Sequence, residues 1–227
     1  MAQAEVRGTF SQPGPSHPAV GVRLAPTLGL INPTDRSRTA GEYVEWLRIA
    51  VHDKQLPKSD RVRAAGPCFG IAQDHHHAIV LLIEHRLFAS SFALLRVAFE
   101  AYVRGEWLAV CANDIQLLSF LNDNEPPKIG ALLRDLEKTP AFTEQLLSGL
   151  KMKHWDAMCA YTHTGGLHVQ RWITADSIEA AYDPQEVNEV LFFAEIIASL
   201  AVIGFATLAN DDAMALSVLE QVKLRAA

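Results

Sequence analysis

Apolar positions recur at helical spacing along most of the chain beyond its first forty residues. Tyr43, Trp46, Leu47 and Ala50 share one face of a helix predicted over 39–54, with Thr39 placed to cap it. Pro57 ends any continuation. Ser59 and Asp60 then open a second helix running to about residue 86, with an interruption expected near Gly66-Pro67. A third, rich in Ala, Leu, Val and Phe, spans 90–112. A short fourth covers 114–122, before Pro126-Pro127 forces a break. Short helices are predicted over 129–138, 141–151 and 155–162, and Gly165-Gly166 stops the last of them or turns the chain. Pro184 sits at a favourable first-turn position for a long helix over 185–209. Asn210-Asp211-Asp212 breaks it, and a last helix covers 213–225.

No run of alternating β-branched residues is bounded by hairpin turns, and no internal repeat is present. The pattern predicts an all-α, multi-helix bundle of the up-and-down type. Residues 1–38 differ: five of the eleven prolines fall before residue 34, among Gly8, Gly14, Gly21 and Gly29. Such a segment lacks backbone donors and is costly to order, so an irregular or disordered arm is expected, followed by one helical domain over 39–227.

Composition sharpens this picture. The hydrophobic fraction of 49% supplies ample core, and the net charge of −6 disfavours a protein built to coat nucleic acid. The stretch 190–209 carries one charge, Glu195, and is long enough to span a bilayer. Glu195, Ser199 and Thr207 dilute it, however, and acids rather than Lys or Arg follow it. A buried helix of a soluble bundle, or a homodimer interface, is the expectation, with no membrane. Cys68, Cys111 and Cys159 are odd in number and widely spaced. They are expected as small buried residues in a reducing cytoplasm, Cys159 having the better claim to reactivity because His163 lies one turn away.

Three groups of residues carry candidate chemistry. Arg96, Glu100 and Arg104 fall at i, i+4, i+8 in an otherwise apolar helix, with Trp107 continuing the stripe. Either this is the helix's one solvated face, or it lines an interior site where charges must be paired. The second group is the segment from Tyr161 to His168, which gathers His163, His168, hydroxyls and a phenol around a glycine turn. Imidazoles there suit acid–base work, or simply cap a helix end. The third is Asp74-His75-His76-His77. Consecutive helical residues point about 100° apart and cannot share one metal, so only Asp74 with His77 survives as a weak metal pair. The acid-x-x-His pattern of di-metal bundles does not recur. There is no Walker-type phosphate loop, no G-x-S-x-G, no H-E-x-x-H and no paired C-x-x-C, and no cofactor is implied.

The stretch from His77 through Arg96-Val97-Ala98-Phe99-Glu100 to Trp107, with the later Tyr161-Thr162-His163-Thr164-Gly165, resembles a group of bacterial helical proteins catalogued as a domain of unknown function. The resemblance covers roughly 60–210. Its pattern pairs an Arg-x-x-x-Glu helix with a later His-x-Gly, which falls here on Arg96, Glu100, His163 and Gly165. It implies a helical fold and no particular activity. More loosely, the arrangement is similar to the HEPN superfamily, whose active members are metal-independent ribonucleases carrying Arg, four to six residues, then His. No histidine here has an arginine five to seven positions before it.

The reading that follows is a helical bundle that binds a small ligand or a protein partner, leaning away from an enzyme. Its pocket is expected beside Arg96, Glu100, Arg104 and His163, with Tyr102, Trp107 and Tyr161 as walls. His163, Glu100 and His168 are the residues expected to act if there is catalysis. The alternatives are a defence-type RNA-binding or RNA-cleaving protein using His163, His168 and Arg171, and a structural homodimer built on the 190–209 helix.

Overall fold

The computed structural model describes residues 21–24, 35–142 and 145–226. Most of the expected N-terminal arm therefore lies outside the described residues, as do two residues within the expected 141–151 helix. The described chain runs β1 (Gly21–Arg23), α1 (Asp35–Val51), α2 (Asp60–Glu84), α3 (Phe88–Val110), α4 (Asp114–Leu121), α5 (Ile129–Leu136), α6 (Leu146–Thr162), α7 (Gly166–Gln170), β2 (Ser177–Glu179), α8 (Pro184–Ala209) and α9 (Asp212–Ala226). A single 3₁₀ turn, Pro140–Phe142, precedes α6.

Local chemistry sets the boundaries. The Ser59 hydroxyl accepts from Val62 N–H at the start of α2. Asn113 and Gln116 form a reciprocal capping box at α4, with bonds of 3.0 and 2.9 Å. Asp183 caps α8 ahead of Pro184, and Asn210 ends it in the left-handed region at φ 53°.

Three expectations need correction. α2 is unbroken through Gly66-Pro67. Pro67 cannot donate to the Arg63 carbonyl, but both residues lie on the exposed face of α2, where one lost bond does not end the helix. The helices expected over 141–151 and 155–162 instead form one helix beyond residue 145, because Gly149 and the Lys151–Lys153 run are tolerated on a helix whose other face is packed. The all-α bundle is as expected, and beside it lies one small two-stranded parallel sheet, β1 on β2, with Val22 paired to Ile178. Three-residue strands more than 150 positions apart leave no local period to read. α1 starts at Asp35, inside the segment expected to be irregular.

α2 and α3 form a helical hairpin, and α8 packs across both. α1 and α9 flank α8, while α5 and α6 cover the outer side of α3. At the centre, the Phe69 ring of α2 lies between two glycines, Gly105 of α3 and Gly204 of α8. A methyl group at Gly204 would stand 2.3 Å from Phe69 Cζ, so close approach of the helices demands glycine there. α8 is long and apolar enough to cross a membrane. Most of it is buried inside the bundle, as the core helix of a soluble protein is. The apolarity that suggested a homodimer is thus largely covered within the chain by α1, α2, α3 and α9.

Candidate functional site

Helical spacing brings Arg96, Glu100 and Arg104 into one ladder on α3. Glu100 sits in the middle as a fork. One carboxylate oxygen accepts from Arg96 Nε at 2.8 Å and the other from Arg104 Nη2 at 2.9 Å. The ladder is neither interior nor free in solvent: the side chains of Arg96, Glu100 and Arg104 are 23%, 15% and 36% exposed. Most apolar side chains of α3 are packed in the core, and α6 packs against the same helix.

α6 contributes the rest. His163 caps its C-terminus, and Arg96 Nη1 lies 2.6 Å from His163 Nε2. Arginine only donates, so Nε2 accepts and the ring proton resides on Nδ1. The Arg96 guanidinium also lies 4.9 Å from the centre of the Trp155 ring, whose other cationic neighbour is Lys151 at 4.8 Å. Thr164, not a glycine, takes the left-handed turn at φ 54°. Gly165 then passes the α6 backbone so closely that a side chain would meet Ala160 Cα at 3.0 Å. This turn holds His163 where Arg96 reaches it, and its imidazole is engaged by Arg96 although Cys159 lies a turn before it.

The other expected residues separate from this group. Trp107 is buried and its indole N–H reaches Asp135 of α5 at 3.3 Å, while Tyr102 is buried in the core. Neither forms a wall beside Arg96. Tyr161 belongs to the opposite face of α6, packed edge-on against Phe92 and His168. His168 is buried. Its Nδ1 donates to the Tyr161 carbonyl at 2.8 Å, leaving Nε2 buried without a partner. Arg171 forms a two-pronged ion pair with Glu186. His163, His168 and Arg171 are therefore not assembled as one acid–base centre. Asp74 and His77 are both exposed, and among the described residues no three His, Cys, Asp or Glu side chains converge as metal ligands. Cys68 is buried, and burial pushes its thiol up to about 11, far from a nucleophile.

A cavity of about 300 Å³ opens on that opposite face, between α3, α6, α7 and α8. Tyr161 lines it, together with Phe92, Phe193, His154 and the Arg171–Glu186 pair. The seam between α3 and α6 thus splits the single pocket expected from the sequence into two places.

The ion-pair partners of Glu195 escaped the sequence reading. Glu195, the lone charge of α8, is 3% exposed and held by Arg36 at 2.7 and 3.0 Å and by Arg225 at 2.7 and 3.3 Å. Burial raises its pKa, but the two guanidiniums outweigh that and hold the carboxyl below its ordinary value. A single charge in an apolar helix signals a paired carboxylate. Its partners, one near each end of the chain, have no local signature. Buried His76 and Glu106 were also missed: burial holds the imidazole down at about 4 and lifts the carboxyl to about 7.

The fold and these sites define a helical-bundle protein with a half-buried Arg–Glu–Arg ladder and, across the α3–α6 seam, a cavity. The chain belongs to the family of unknown function DUF6988, whose model matches residues 69–223 and so takes in the ladder, the His163 turn and the cavity. No curated protein and no solved structure matches the chain.

Proposed function

We propose that this protein is a ligand-binding helical bundle whose Arg96–Arg104 edge takes the oxyanion of a small molecule, a phosphate monoester or a carboxylate. The observation that carries this reading is the fixation of Arg96. Glu100, His163 and Trp155 hold its guanidinium from three sides, yet its Nη2 donors have no protein partner among the described residues. Arg104 is tied to Glu100 through one nitrogen only. Two guanidiniums buttressed by one carboxylate keep outward N–H groups in a preset fork, the geometry that suits planar or tetrahedral oxyanions. With Lys151 nearby, the patch stays cationic in an acidic chain. Glu100 serves as the buttress, and no acid–base role for it or for His163 is required.

Titration calorimetry with inorganic phosphate and phenyl phosphate tests this. Binding is expected, weakened about tenfold or more in Arg96→Gln, the loss of one charge-assisted contact. Equal affinity in the wild type and Arg96→Gln would sink the reading. A single-stranded RNA oligonucleotide is the competing occupant. If it binds where phosphate esters do not, with affinity falling steeply as salt rises, an RNA-binding role replaces the small-ligand one.

A further inference from the structure

The geometry points to a second ligand site, the cavity between α3, α6, α7 and α8, built for a small organic cation with an aromatic or aliphatic body. This inference is independent of the oxyanion reading. It rests on different residues, on the other side of the α3–α6 seam.

The volume, about 300 Å³, is at the lower end of the range that small-molecule sites occupy. Three aromatic rings line it, Phe92 from α3, Tyr161 from α6 and Phe193 from α8, and aliphatic side chains from the same helices fill the spaces between them. Phe92 and Tyr161 meet edge to face, with ring centres 5.0 Å apart, so the wall is rigid and its shape preset. Such a wall accepts an apolar body, and aromatic faces attract a cation over a neutral group.

The polar groups decide the charge of the ligand. Beside the Tyr161 hydroxyl, which is neutral at pH 7, four line the cavity: His154, Arg171, Glu186 and Glu189. Arg171 and Glu186 satisfy one another through two hydrogen bonds, so neither offers a free charge. His154 lies against the Phe193 ring, with centres 5.2 Å apart. Burial, aided by Lys153, holds its pKa below the ordinary value against the opposing pull of Glu189, so near pH 7 it is a neutral imidazole. That leaves Glu189. Among the described residues its hydrogen-bond partner is Gln185, which donates at 3.2 Å, a neutral amide that leaves the carboxylate charge uncompensated. The cavity therefore presents an aromatic interior and one net negative charge. An ammonium group fits that environment, and a carboxylate or phosphate is repelled by it.

Calorimetry on the full chain at pH 7 with three probes of one shape tests the site: phenethylamine, 2-phenylethanol and 3-phenylpropionate. The amine is expected to bind about tenfold or more tighter than the alcohol, and the acid weakest. Glu189→Gln, at an exposed position, should erase the preference for the amine while leaving the alcohol's affinity unchanged. Ala157→Phe, which fills the cavity, should remove binding of both. Absence of amine binding, equal affinity for amine and alcohol, or an amine preference that survives Glu189→Gln would each overturn the inference. Phosphate binding at Arg96 should be unaffected by both substitutions, so failure of one site is separable from failure of the other.

Discussion

Single residues set how stability depends on pH here, and two of them oppose each other. His76 is 1% exposed with neither ring nitrogen hydrogen-bonded, and its folded pKa is down at about 4 from an ordinary 6.5. Between those values the unfolded chain binds a proton that the folded one refuses, so stability falls as pH drops through that window. Glu106 is the mirror case. Its folded pKa is about 7 against an ordinary 4.5, so between those values the folded state holds the extra proton, and stability falls as pH rises. From about 4.5 to 6.5 the two proton counts cancel. Glu106→Gln removes one side of this balance. The variant should match the wild type near pH 4 and be more stable by about 3 kcal/mol at pH 8, from a difference of about 2.5 pKa units. Urea unfolding across that range measures it. A constant difference between the two proteins at all pH values would show that Glu106 titrates normally. Nothing in the sequence marks either residue. His76 reads as the middle of a histidine run whose members point about 100° apart, and Glu106 as one more helical acid, because burial depends on which face α2 and α3 turn to each other.

Elements were legible where their punctuation is local. The ends of α8 follow from Pro184 and Asn210, and the start of α4 from Asn113 with Gln116, since each acts within one turn. The Arg96–Glu100–Arg104 ladder was legible for the same reason, i, i+4 geometry being a property of one helix. What α6 adds was not. Trp155 and His163 point to the ladder while Tyr161 faces the cavity, and that division depends on the rotation of α6 against α3, which no residue of α6 encodes alone. The helix-to-helix fit makes its own prediction at Gly204. Helix propensity favours alanine over glycine by up to about 1 kcal/mol, but the added methyl would collide with Phe69. Gly204→Ala should therefore destabilise by about 1–3 kcal/mol, an overpacking penalty larger than the propensity gain. Gly70, helical with open space around its α-carbon, is the control, and Gly70→Ala should stabilise by roughly 0.5–1 kcal/mol. Denaturant midpoints for the two variants should move in opposite directions; movement in the same direction would contradict the tight α2–α8 contact.

At the scale of the molecule, Glu195 is the point where the first and last described helices, α1 and α9, are tied to the central helix. Arg36 comes from the first turn of α1 and Arg225 from the last turn of α9, and both close on one carboxylate of α8. Arg225 also lies over the Tyr43 ring at 4.3 Å, and the Tyr43 hydroxyl meets Ser199 at 2.8 Å, so α1, α8 and α9 share one polar seam. The burial is unequal: the carboxylate is 3% exposed, the guanidiniums 29% and 23%. Removing the carboxylate leaves two arginines that reach water by small rotations. Removing both arginines strands a buried anion, which must either take up a proton or draw water into the core. The double variant Arg36→Ala/Arg225→Ala should accordingly lose about 3–5 kcal/mol, and Glu195→Gln clearly less, although each abolishes the same ion pairs. Adding Glu195→Gln to the double variant should restore part of the loss. Hydrogen exchange should show the loosening first in α1 and α9, the helices that carry the two arginines, rather than in the α2–α3 hairpin. Equal losses in the two variants, or no recovery in the triple variant, would mean that the clamp acts through packing alone and that the buried charge is not what holds the ends of the bundle together.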